Sequence, residues 1–209
     1  MGDTDRDMRI QELTGYHNTP IQDIKQKAHD EFSGGKKTGY NSTAFKNFYE
    51  YIQQHGFNKV DGGNLKYNIG ARYGIDGDQG KKLIKIFNES AHMGFLPPLR
   101  DAMYYVKRLH EEHGYVFHCI TSLSKDINAQ RLREMNLKKL FGDTAFEKIV
   151  CLDTGADKNY ALEEYANSGC WWVEDKPENA EVGLDLGLKS VHMEHGHNMH
   201  HVNERIPVV

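Results

Sequence analysis

Three apolar runs in the second half of the chain are each followed by residues whose side chains could bind phosphate or a metal ion. A hydroxyl and an ammonium group can hold phosphate oxygens, and adjacent carboxylates suit Mg²⁺, which prefers oxygen ligands. This combination indicates phosphoryl-transfer chemistry, because the reaction needs both phosphate binding and compensation of negative charge. The candidate residues are, in chain order, Thr121, Ser122, Lys158, Glu174 and Asp175.

Each candidate also has a purely structural explanation. Thr121 or Ser122 could cap a following turn, and Lys158 could be a solvated lysine in the first turn of a helix. Glu174 and Asp175 could match the dipole of a helix that begins at the next proline. The order hydroxyl, lysine and carboxylate at three successive strand ends favours a shared site over three separate structural roles.

The elements that must position these residues alternate between strand and helix patterns. Such alternation predicts a parallel sheet with right-handed crossovers. The carboxyl ends of its strands then meet at one edge, where folds of this kind bind their ligands. The predicted strands are 115–120, 148–152, 170–173 and 190–193, and the predicted helices are 99–113, 126–135, 159–166 and 179–186.

The first part of the chain has a different pattern. Apolar residues recur at helical spacing in 44–55 and 81–88, whereas 61–80 is rich in glycine and predicts a loop or short hairpin. The pattern changes after Pro97 and Pro98. We therefore predict a helical, loop-rich part at 5–95 and an α/β part at 96–209.

Composition excludes several classes of partner. A net charge of −4 and a pI of about 6.3 offer no field that would attract nucleic acid or an anionic membrane. No apolar run approaches the roughly 20 residues that span a bilayer, and no signal peptide is evident at the start. Cys119, Cys151 and Cys170 lie in apolar runs, which predicts buried, reduced thiols in a cytoplasmic protein without disulfides.

Three motifs in the second part resemble those of the haloacid dehalogenase (HAD) superfamily, and more closely its 5′(3′)-deoxyribonucleotidase-like branch with phage-type members. The resemblance covers residues 90–209 well, and it implies a three-layer Rossmann-like core with a parallel sheet and a mainly helical cap. The matching segments are Val116-Phe-His-Cys-Ile-Thr-Ser122, Asp157-Lys-Asn-Tyr-Ala-Leu162 and Trp172-Val-Glu-Asp-Lys-Pro-Glu-Asn179.

The resemblance also implies a Mg²⁺-dependent phosphatase that forms an aspartyl-phosphate. Asp175, with Glu174 beside it, would bind the metal. Thr121 and Ser122 would hold the phosphate together with Lys158, which also takes part in catalysis. The implied substrate is a small phosphomonoester, with a nucleoside monophosphate as the preferred class.

The first motif of the family, Asp-x-Asp at the end of the central strand, is not evident. Asp3 and Asp5 have the right spacing for the nucleophile and the acid/base, but only Met1 and Gly2 precede them. The residues that follow, Arg6-Asp-Met8, also lack the usual Gly and Thr or Val. We therefore expect this motif and its strand to be absent, with Asp3 and Asp5 in these roles as the alternative.

Such an absence would leave a space between the strands at 116 and 170. Unpaired strand edges are costly, so either these strands pair with each other or another segment fills the space, for example in a homo-oligomer. Two functional hypotheses follow. The chain is a phosphomonoester hydrolase, or it is a catalytically disabled HAD-like protein that binds a ligand or partner or assembles with other chains.

Overall fold

The protein has a mixed α/β fold. The computed structural model describes residues 43–63, 66, 68–99, 102–194, 198 and 203–208; Asp3 and Asp5 lie outside these ranges. None of the helices in them is long and apolar enough to cross a membrane. Their α-helices are α1 (Thr43–Gln54), α2 (Ile69–Tyr73), α3 (Gly77–Asn88), α4 (Ala102–Glu111), α5 (Ile127–Phe141), α6 (Asn159–Leu162) and α7 (Pro177–Asp185). The strands are β1 (Phe117–Ser122), β2 (Phe146–Leu152), β3 (Trp171–Glu174) and β4 (Lys189–His192), and 3₁₀ helices lie at Ala91–Phe95 and Glu163–Tyr165.

The four strands form two parallel pairs rather than one continuous sheet. β1 pairs with β2, with Thr121 opposite Cys151, and β3 pairs with β4, with Glu174 opposite His192. No strand of the described ranges joins the two pairs, and β1 and β3 do not pair with each other. Direct closure of these strands, one of the two expected outcomes, is therefore not found.

Helices contact both faces of the β1–β2 pair. Alternate side chains of a strand point to opposite faces, so each strand contributes residues to both contacts. On one face, Cys119 and Ile149 pack against a cluster that includes Leu137 of α5. On the other face, Ile120 packs in a cluster with Leu162 of α6. Helices therefore cover part of each face, and Ile120 is the residue of this pair that is fully buried.

The first helices pack around an aromatic core that extends beyond the predicted boundary near residue 95. Phe48 of α1 and Phe87 of α3 meet edge to face, with 5.3 Å between ring centroids. The same apolar cluster includes Leu123 and Ala129, from the α/β part. In addition, Asn136 of α5 donates to the carbonyls of Gly94 and Leu96, at 3.5 and 2.9 Å, which lie on either side of that boundary. The two predicted parts thus share a core.

Several predicted boundaries were wrong for local reasons. Residues 61–80 contain α2 and the start of α3. The two Asp-Gly pairs in this range predicted turns, but the aspartate of the second pair is the cap of α3. The Asp76 carboxylate accepts from the backbone N–H groups of Asp78 and Gln79, so α3 begins at Gly77. In α5, the helix continues past the predicted end at 135 to Phe141.

The cysteines are only partly buried. Cys119 and Cys151 are half-buried, and burial raises the pKa of each thiol. Cys170 is exposed and lies immediately before β3. The prediction of a buried thiol was wrong at this position.

Candidate functional site

A nearly buried ion pair joins two of the candidate residues. Lys158 lies immediately before α6, and Glu174 is the last residue of β3. The Lys158 Nζ donates to the Glu174 Oε2 at 2.5 Å, and the two side chains are 13% and 4% exposed. The same ammonium lies 5.2 Å from the centroid of the Trp172 ring, whose face attracts a cation.

Burial and neighbouring groups shift the pKa of Glu174 in opposite directions. Burial raises the pKa of this carboxyl group, and the nearby Asp175 carboxylate raises it further. The Lys158 ammonium and the backbone N–H of Lys176, which donates to Glu174 Oε1 at 3.2 Å, act in the opposite direction. A buried carboxylate is costly unless it is paired and hydrogen-bonded, and Glu174 meets both conditions.

Asp175 is half-buried and its backbone is held by the loop that follows β4. The Asn198 side chain, itself buried, donates to the Asp175 carbonyl at 2.6 Å and to the Met193 carbonyl at 3.0 Å. The Met193 N–H in turn donates to the Glu174 carbonyl at 2.8 Å. Three hydrogen bonds therefore fix the turn that presents the two adjacent carboxylates.

The β1 hydroxyl residues lie beside the loop that carries Lys158. The Ser122 hydroxyl donates to the Ala156 carbonyl at 2.7 Å. The Thr154 hydroxyl of that loop donates to the Leu123 carbonyl at 2.6 Å. These crossed hydrogen bonds tie the carboxyl end of β1 to the residues that precede α6.

The structure thus brings Lys158 and Glu174 into contact and places Asp175 next to Glu174. Ser122 is hydrogen-bonded to the loop that precedes Lys158. Thr121 is half-buried one residue earlier, opposite Cys151. Asp3 and Asp5, the predicted nucleophile and acid/base, lie outside the described residues.

Asn198 was not predicted as a site residue. A polar residue shortly after the last strand is a weak sequence signal for a functional site. Its role depends on which carbonyl groups the folded loop brings close to its side chain. The burial of its side chain and its two carbonyl partners become visible only in the folded chain.

The described ranges contain no group of three or more His, Cys, Asp or Glu side chains arranged to hold a metal ion. Glu174 and Asp175 therefore offer a pair of carboxylates rather than a complete protein cage. Such a pair is a donor set of the kind that Mg²⁺ shares with waters and substrate phosphates.

Comparison with known proteins gives one informative similarity. The chain is 32% identical, over 82 residues, to an uncharacterized 32.4 kDa protein from the Gp30-rIII intergenic region of Enterobacteria phage T4. The match covers 39% of this chain and 29% of the phage protein, so it spans less than a third of that relative. No protein-family model matches the chain, and no solved structure matches it significantly.

Proposed function

We propose that this chain has a HAD-like fold and acts as a Mg²⁺-dependent phosphomonoester hydrolase, with a nucleoside monophosphate as the preferred class of substrate. The observation that carries the proposal is the contact of Lys158 with Glu174 beside Asp175. An ammonium group from the loop before α6 meets a carboxylate at the end of β3, and the Asp175 carboxylate is close enough to shift the pKa of Glu174. A cytoplasmic location belongs to the same proposal, since partly buried thiols suit a reducing compartment.

Two adjacent carboxylates support the proposal of a magnesium ion. Asp175 would hold it, with Glu174 alongside, and Mg²⁺ needs only one or two protein carboxylates when waters and phosphate oxygens complete its shell. The negative charge of Asp175 raises the pKa of Glu174, so a cation close to both would relieve their repulsion. When bound, the metal offsets the negative charge of the phosphate group.

Lys158 would hold a phosphate oxygen, and Glu174 would orient its ammonium group. The Trp172 ring and the buried carboxylate restrict where this ammonium can lie, which reduces the reorganisation needed when charge develops on the phosphate. Thr121 and Ser122 would donate to further phosphate oxygens. Ser122 would exchange the Ala156 carbonyl for the substrate as its acceptor.

The covalent step requires a carboxylate nucleophile. Asp3 and Asp5 would fill these roles only if they reach the site: Asp3 then attacks phosphorus, the bond to the leaving oxygen breaks, and Asp5 protonates that oxygen. Water activated by Asp5 then cleaves the aspartyl-phosphate, which releases inorganic phosphate and restores Asp3. Without such a carboxylate, the remaining residues would bind phosphate and metal with little turnover.

The test is release of inorganic phosphate from a panel of deoxynucleoside monophosphates with and without Mg²⁺. Turnover should require the metal and should be lost in Asp175→Asn and Asp3→Asn. Asp157→Asn is the matched control, because the Asp157 side chain is 80% exposed and lies 3.7 Å from the Lys176 ammonium, a weak surface contact. Absence of turnover in folded protein that binds Mg²⁺ would refute the hydrolase.

A second candidate is favoured by the separation of the two strand pairs. A catalytically disabled protein that binds a ligand or assembles with other chains would retain the Lys158–Glu174 pair and leave strand edges open for a partner. Binding of Mg²⁺ and inorganic phosphate without release of product, unchanged by Asp3→Asn, is the result expected for this function.

A further inference from the structure

A groove lies at the amino end of the β1–β2 pair, at the opposite end of these strands from the candidate site. Val116 directly precedes β1 and Phe146 is the first residue of β2, whereas Ser122 ends β1 on the side of the candidate site. Two residues of α5, Glu134 and Lys138, also line the groove. Its volume of about 540 Å³ is in the range of small-molecule sites. We call it the amino-end groove.

One part of the lining is an apolar wall that solvent reaches. Val116 is 51% exposed, and Phe146 and Ile149 are half-buried. The Phe146 ring packs against the rings of Phe117 and Phe141, with centroids 5.6 and 5.5 Å from its own. Because the core fixes this ring, the amino-end groove offers a preformed apolar surface to a ligand.

The charged part of the lining is predominantly acidic. It consists of three carboxylates and one ammonium group, from Glu134, Asp143, Glu147 and Lys138. The Lys138 Nζ donates to the Glu134 carboxylate at 2.6 Å, so these two charges compensate each other. An excess of two negative charges therefore remains in the amino-end groove, on Asp143 and Glu147.

Neighbouring bases offset this excess only in part. The His118 Nε2 lies 3.6 Å from the Glu147 carboxylate, and this ring is charged only when it is protonated. The pKa of Lys138 is raised mainly by its hydrogen bond to Glu134 and less by Asp143, which forms no ion pair with a basic side chain of the described ranges. At neutral pH the groove therefore keeps a negative field that favours a cation.

The combination of this field with an apolar wall defines the class of ligand. A metal ion would leave the wall uncovered, and a monoamine would leave one excess carboxylate uncompensated. A methylene stem can cover apolar surface while its charged ends stay in water. Such a stem on Val116 and Phe146 would place one ammonium group near Asp143 and another near Glu147. We propose that the amino-end groove binds a linear aliphatic diamine or polyamine.

The probe is hexamethylenediamine, titrated into the full chain and followed by calorimetry and by the methyl NMR signals of Val116 and Ile149. It should shift both signals and bind with a dissociation constant of about 1 mM or lower, a modest affinity for about eight non-hydrogen atoms. Hexylamine has the same stem and one charge, so it should bind about threefold more weakly. Hexanediol, which is uncharged, should not bind measurably, and Mg²⁺ at the same concentration should not displace the diamine.

Variants at exposed positions locate the two ammonium groups and the stem. Asp143→Asn and Glu147→Gln should each weaken diamine binding about threefold, as expected for exposed ion pairs, and about tenfold together. Val116→Thr replaces one methyl group of the wall by a hydroxyl and should also weaken diamine binding. The net-charge control is Asp185→Asn, at an exposed residue that ends α7 outside the groove, and it should leave the affinity unchanged.

This proposal does not depend on the hydrolase, so Asp175→Asn should leave diamine binding unchanged. Three results would overturn it. One is equal diamine affinity in the double charge variant and in the net-charge control, which would indicate attraction by overall charge alone. Another is displacement of the diamine by Mg²⁺ at the same concentration, which would show that the carboxylates bind a bare cation. The third is diamine binding that leaves the methyl signals of Val116 and Ile149 unshifted, because the ligand would then lie elsewhere.

Discussion

Replacing either partner of the Lys158–Glu174 pair should lower the free energy of unfolding far more than loss of a surface ion pair would. The side chains are only 13% and 4% exposed, so either charge left alone would remain largely shielded from water. Removing one partner of a buried pair typically costs about 3–5 kcal/mol of unfolding free energy. We expect costs of this order for Lys158→Met and for Glu174→Gln at neutral pH.

The double variant should be much closer to the unaltered protein than either single variant. Two neutral side chains of similar size leave no unpaired charge, and the amide oxygen that replaces the carboxylate in Glu174→Gln can still accept from the Lys176 N–H. Replacing both partners of a buried pair is often close to neutral. The expected coupling energy is therefore about 3 kcal/mol or more, measured by urea unfolding of all four proteins.

The two single variants should differ in pH dependence. Burial raises the pKa of Glu174, and loss of the Lys158 ammonium raises it further. The folded state of Lys158→Met therefore retains a proton that the unfolded chain has released, and stability falls as pH rises through the folded pKa. Glu174→Gln has no carboxyl group at this position, so its free energy of unfolding should not show this fall with rising pH.

A surface pair provides the control for this cycle. Lys138 and Glu134 are joined at 2.6 Å within α5, but their side chains are 42% and 49% exposed. Water and salt compensate such charges, so Lys138→Met should change stability little. The reasoning would be refuted if the losses of unfolding free energy in Lys158→Met and Glu174→Gln simply added in the double variant. It would also be refuted if each loss were as small as that of the surface control.

Three further predictions test packing and the site. Gly183→Ala should destabilise the fold by about 1–3 kcal/mol in urea unfolding, because its Cβ would lie 2.4 Å from a Trp172 ring carbon; Gly77→Ala, at the uncrowded first residue of α3, is the control. Asn136→Ala should cost about 1–3 kcal/mol by the same assay, since buried hydrogen-bonding groups lose their partner. Asn198→Ala should weaken Mg²⁺ binding in calorimetry about tenfold by releasing the Asp175 backbone; unchanged affinity would contradict this role.

Sequence patterns located the strands well because these strands are short apolar runs with polar residues at their ends, although β3 buries only alternate side chains. The predicted strands at 115–120 and 170–173 correspond to β1 and β3 with shifts of one or two residues. The segments that follow consecutive strands were then predicted to converge, and Lys158, in the loop after β2, does contact Glu174 at the end of β3. That part of the candidate site follows from strand periodicity and from the convergence of carboxyl ends.

Other features depend on contacts that no local pattern specifies. Asp76 begins α3 because its carboxylate reaches two backbone N–H groups, although an Asp-Gly pair is equally typical of a turn. The role of Asn198 depends on two carbonyls from separate segments. The specific pairing of Lys158 with Glu174 likewise needs the loop before α6 to lie against the end of β3.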